Sequence, residues 1–84
     1  MSPREFAELP IENKVNLVLT EGEEVLDRIY MYYLIKLYTF KGLFIEIWYQ
    51  QITNRIDRIQ VIEHDDVIHI YEKQININDL FKGS

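Results

Sequence analysis

Two runs, Tyr33–Phe40 (YLIKLYTF) and Leu43–Gln50 (LFIEIWYQ), follow one another with only Lys41 and Gly42 between them. Both are dense in β-branched and aromatic residues, the composition that suits a pleated and partly buried surface. Parallel strands need a crossover of a dozen or more residues, so a gap this short joins the two runs as an antiparallel hairpin. This hairpin constrains the fold more than any other stretch of the chain.

The hairpin's register decides which side chains share a face, because a slip of one residue moves the whole set to the other side. A two-residue loop, Lys41-Gly42, sets Lys36 opposite Ile47 and Leu37 opposite Glu46 and mixes polarity on both faces. A three-residue loop, Phe40-Lys41-Gly42, places Gly42 at the left-handed position of a type I turn with a G1 bulge. It pairs Thr39 with Leu43, Leu37 with Ile45, Ile35 with Ile47 and Tyr33 with Tyr49. The other face then carries Tyr38 with Phe44, Lys36 with Glu46, and Leu34 with Trp48. That register gives one clean apolar face and one complementary charge pair, and is the one the sequence favours.

Around the hairpin the chain reads as follows. Ser2-Pro3 with Glu5 three residues after Ser2 is a helix start with a cap, a first-turn proline and a capping-box acid. That short segment ends near Leu9, before Pro10. A second, amphipathic helix over about 10–21 has Ile11, Val15, Val18 and Leu19 at helical spacing and Gly22 as its stop. A first strand is expected at about 24–30, and a fourth from Arg55 to Glu63 after Thr53-Asn54. In that strand Ile56 is out of phase with Ile59 and Val61, which implies a bulge or an irregular register. Residues 67–73 suit either a short helix or a fifth strand, and Asp65-Asp66 as a start favours the helix. The whole is one domain over 1–84, with 1–21 helical, 24–63 an antiparallel sheet and 64–84 a short helix and tail. The fold class is α+β and two-layer: an N-terminal helix on a four-stranded antiparallel meander, then a short C-terminal helix.

The stretch LYTFKGLFIEIWYQQITNRIDRI contains Leu37, Tyr38, Phe40, Phe44, Glu46, Ile47, Trp48, Tyr49, Asn54, Ile56 and Ile59. On these residues it resembles the central part of small uncharacterised bacterial proteins with an LY-x-F, F-x-E-[VI]-W-Y and N-x-I-x-x-I pattern. The resemblance implies a β-meander and no activity, cofactor or substrate.

Composition excludes several classes. With no cysteine there is no disulfide scaffold, thiolate metal site or thiol nucleophile. The only serines are Ser2 and Ser84, and the three glycines form no phosphate-cradling loop. No apolar stretch approaches the roughly 20 residues of a spanning helix, and Met1–Glu5 lacks the apolar core of a signal peptide, so the expected location is the cytoplasm. Acidic residues outnumber basic ones 14 to 9, which argues against nucleic acid as the partner. The acids cluster early: Glu5, Glu8, Glu12, Glu21, Glu23, Glu24 and Asp27 lie in the first 27 residues, while 28–58 carry five bases against two acids.

These observations give three expectations, none of them catalytic and none requiring a cofactor or metal. The leading one is a non-enzymatic interaction module, homodimeric or bound to another protein, that uses an aromatic sheet face of Leu34, Tyr38, Phe44 and Trp48 flanked by the pair Lys36 and Glu46. Its alternative is a small acidic inhibitor of the immunity-protein type, using the early carboxylates against a basic partner. A third is a single-stranded nucleic-acid platform of Arg28, Lys36, Lys41, Arg55 and Arg58 with Tyr38, Phe44 and Trp48. A small-molecule pocket lined by Tyr30, Tyr33 and Tyr49 is weighed beside core packing. His64, Asp65, Asp66 and His69 have the residue types of a metal site but not a shared helix face, and read as a solvated connection.

Overall fold

The computed structural model describes residues 1–74, in the order α1 (Pro3–Ala7), α2 (Ile11–Glu21), β1 (Glu23–Tyr30), β2 (Tyr33–Phe40), β3 (Leu43–Gln50), β4 (Arg55–Ile62) and α3 (His64–Tyr71). The strands form one antiparallel sheet in the order β1-β2-β3-β4, so the α+β class and the meander stand as expected. An alternative reading of the sequence has Ile75, Ile77, Leu80 and Phe81 fold across the aromatic face and bury it; those residues lie outside the described ones.

The capping box forms as read. The Glu5 N–H donates to Ser2 Oγ at 3.1 Å, and the Ser2 N–H donates back to the Glu5 carboxylate at 3.3 Å. These bonds hold the exposed Glu5 carboxyl below its ordinary pKa. The box aims Phe6 into the core, where its ring meets Phe40 at 6.0 Å. α2 ends at Gly22, where a Cβ would come within 2.5 Å of the Val18 carbonyl oxygen.

The β2–β3 register corrects the expected one. Leu37 lies opposite Glu46, Ile35 opposite Trp48, Lys36 opposite Ile47 and Tyr38 opposite Ile45. The loop is the two-residue Lys41-Gly42, with φ of +48° and +79°. Positive φ at both positions is the type I′ geometry, whose twist matches that of the strands it joins. The mixed polarity that counted against this register is harmless because both faces are covered, and each charged side chain finds its own partner.

One face carries Tyr38, Phe40, Ile45, Ile47 and Ile59, closed by Phe6 of α1 and Val18 of α2. The other carries Leu37, with Leu26, Phe44 and Ile62 around it, closed by Val67 and Tyr71 of α3. The expected two layers therefore gain a third, with α3 opposite α1 and α2. The irregularity expected in the last strand sits at Asp57: Trp48 pairs with Arg58 and Tyr49 with Ile56. This extra residue brings Ile56, Ile59 and Val61 onto the α2 face together. A similar shift at Val25 separates Glu24–Tyr38 from Leu26–Leu37. α3 begins at His64 with Glu63 as its N-cap, earlier than the expected Asp66, so Asp65 and Asp66 occupy its first turn and favour the positive end of the helix dipole.

Candidate functional site

The register splits the proposed aromatic face. Tyr38 is buried beneath α1 and α2, and Leu34 shares its side of the sheet. Phe44 and Trp48 lie on the α3 side. Lys36 and Glu46 are likewise on opposite sides: Lys36 Nζ sits 3.1 Å from Glu24 on the neighbouring strand, a contact that raises the lysine pKa. The expected cross-strand pair does not form, because the I′ turn sets Lys36 one position away from the register that would oppose it to Glu46. The same alternation separates Tyr49 from Tyr30 and Tyr33, and Tyr38 and Lys36 from Trp48, so neither the tyrosine pocket nor the full basic-aromatic platform assembles.

Glu46 is fully buried. Burying an ionised carboxylate without donors is prohibitive, and four donors converge on it. Arg28 Nε at 3.3 Å and Tyr71 Oη at 2.7 Å donate to Oε2. Trp48 Nε1 at 3.2 Å and Gln60 Nε2 at 3.1 Å donate to Oε1. Burial pushes the carboxyl toward its neutral form, and the bonds from Tyr71, Gln60 and Arg28 outweigh it, leaving the pKa below its ordinary 4.5. Burial and the same bond push the Tyr71 phenol upward. Both oxygens are saturated and closed from solvent, so the carboxylate fastens α3 to three strands and has no free lone pair to offer a substrate.

Beyond the end of α3 the same face continues as a cation–aromatic cluster. The Arg58 and Arg28 guanidinium groups lie 4.9 and 5.4 Å from the Trp48 ring centroid. Tyr33 and Tyr30 meet the indole edge-on at 5.2 and 6.2 Å. The Tyr33 hydroxyl donates to Asp57 at 2.9 Å, which raises its pKa. A small cleft of about 180 Å³ opens between Tyr33, Trp48, Asp57 and Arg58.

This cluster leads to the end of the sheet where the β1–β2 turn and the β3–β4 loop meet. There Ile29, Tyr30, Met31, Tyr32 and Ile52 are each between 51% and 75% exposed. The two loops are tied together by the Gln51 N–H donating to the Tyr32 carbonyl at 2.8 Å. The Ile52 N–H donates to the Gln50 side chain at 2.7 Å and the Asn54 N–H to the Gln50 carbonyl at 2.8 Å. Met31 holds φ of +53°, in the left-handed region that few non-glycine residues adopt. A large apolar side chain kept there and turned to solvent is a strained, displayed position.

None of these five residues belonged to the candidate face. The signal was nevertheless present: strands ending at Tyr30 and resuming at Tyr33 force Met31-Tyr32 to be a turn, where Asn, Asp or Gly normally stands. Elsewhere the early carboxylates are exposed but dispersed, with Glu5 in the capping box, Glu8 beside Arg4 at 3.5 Å and Glu24 on Lys36. Among the described residues no group of three His, Asp or Glu side chains converges to hold a metal. Comparison with protein-family models, curated proteins and solved structures returns no match.

Proposed function

We propose that this chain is a non-enzymatic contact module that docks against a partner surface through the apolar end of its sheet. The observation that carries this reading is the concentration of Ile29, Tyr30, Met31, Tyr32 and Ile52 at one end, on the last residues of β1 and on two loops bonded to each other. Scattered exposed apolar residues need no explanation, whereas five gathered at one end of the sheet mark a contact surface. The consumption of the Glu46 carboxylate by four donors supports a structural rather than chemical use of the buried charge. The expected dimer face of Leu34, Tyr38, Phe44 and Trp48 gives way to this end because two of its four members face the other way.

The test is photo-crosslinking in cells that express the chain, with a diazirine-bearing residue replacing either Met31 or Asp65. The two positions are exposed and lie at opposite ends of the sheet. Adducts of any class from position 31, with few or none from position 65, are expected. Equal labelling from the two ends, or none from position 31, overturns the reading.

A further inference from the structure

Resting on that reading, we infer that the surface the apolar end meets is an anionic lipid bilayer, entered to interfacial depth by Met31, Tyr32 and Ile52. Among the described residues no helix is long and apolar enough to cross a membrane. Insertion of a loop to interfacial depth needs no spanning helix.

The first support is the order of side chains along the sheet axis. Met31, Tyr32 and Ile52 are outermost, on the turn and the loop. Tyr30, Tyr33 and Arg55 stand at the last strand pairs, and Trp48 and Arg58 lie further back. At about 3.3 Å per residue, two positions along a strand span some 7 Å. This is comparable to the roughly 5–10 Å to which interfacial apolar groups bury. Aliphatic tips thus reach the acyl boundary while the amphipathic rings and guanidinium groups sit at headgroup level, the depth such rings favour.

The second support is charge. Arg28, Lys36, Arg55 and Arg58 occupy this half of the sheet with Asp27 and Asp57; Arg28 is paired with the buried Glu46 and Lys36 with Glu24, so Arg55 and Arg58 are the cations this end presents. The far end carries Glu21, Glu23, Glu24, Glu63, Asp65 and Asp66 against Lys41. An anionic surface would attract the first end and repel the second, which orients the molecule tip-first. A protein partner would instead need a matching concave surface. A fluid lipid interface needs only apolar area with cations behind it.

The experiment is co-sedimentation of the full chain with phosphatidylcholine vesicles and with vesicles that also contain phosphatidylserine, at low and at physiological salt. Pelleting that requires phosphatidylserine and weakens with salt is expected, accompanied by a blue shift of the single tryptophan, Trp48. Arg55→Gln and Arg58→Gln should each weaken binding about fivefold. The double variant M31D/I52D should abolish it. Both of these positions are exposed and Asp tolerates positive φ, so an unchanged circular dichroism spectrum certifies the fold.

Failure to pellet with either vesicle, equal pelleting with both, or binding that survives M31D/I52D overturns the lipid assignment. Protein or self adducts from position 31 together with absent vesicle binding would overturn the lipid surface while leaving the contact reading intact. Absent adducts would remove both.

Discussion

Glu46 and Ile47 are neighbours on β3, and both are wholly withdrawn from solvent, yet they close opposite faces of the sheet by different physics. Ile47 belongs to a layer of aliphatic and aromatic side chains covered by Phe6 and Val18. Its contribution is non-directional and scales with the area removed from water. Glu46 is held by four directed bonds, and among the described residues Val67 and Tyr71 of α3 add buried apolar surface above it. The first face tolerates changes of shape. The second depends on every donor being present, because a buried charge with a missing partner costs more than the pair contributes.

The sharpest way to break this contrast is a pair of adjacent substitutions. Glu46→Ala strands the Arg28 guanidinium, the Trp48 N–H and the Tyr71 hydroxyl, and should cost about 3–5 kcal/mol. Ile47→Val removes one methylene and should cost about 1 kcal/mol. Denaturant titration measures both. Similar losses at the two sites would mean that the faces are held in the same way.

A second difference appears with pH. The folded-state pKa of Glu46 lies below its ordinary value, so its contribution is complete above pH 4.5 and disappears as pH falls through the depressed folded pKa. Glu46→Gln keeps the shape but replaces charge-assisted bonds with neutral ones and turns an NH2 donor toward other donors. A loss of about 2 kcal/mol near neutrality is expected. The gap between variant and wild type should narrow on acidification. A gap that stays constant from pH 7 to pH 3 would show that Glu46 is not the titrating anchor.

The elements were legible because their signals are local: Ser2 to Glu5 for α1, Pro10 and Gly22 around α2, and the two apolar octads for β2 and β3. Even the bulge at Asp57 was written in the phase of Ile56 against Ile59 and Val61. The register was not legible, because the choice rested on each face being judged alone. A buried Glu looks wrong until Arg28, Gln60 and Tyr71, brought from three other elements, are in place. Placement of α3 on the second face is the tertiary fact that turned a mixed face into a satisfied one. The apolar end was missed for the opposite reason: the gap at Met31-Tyr32 was in plain view between the two strands, but attention went to the sheet faces and not to the side chains a turn must display.

The smallest effect separates the two registers themselves. Lys36 lies on the α2 side beside Glu24, with side chains 33% and 41% exposed, and Glu46 lies behind the sheet. A double-mutant cycle between Lys36→Gln and Glu24→Gln should give a coupling of about 0.2–1 kcal/mol, as exposed pairs do. That coupling should fade at 1 M salt, where screening acts over roughly 3 Å. The cycle between Lys36→Gln and Glu46→Gln should be additive, because the pleat directs the two side chains into different layers and they share no partner. Coupling of Lys36 to Glu46 in place of Glu24 would restore the three-residue turn. It would also return Trp48 and Tyr38 to one face and exchange the charged layer for the apolar one.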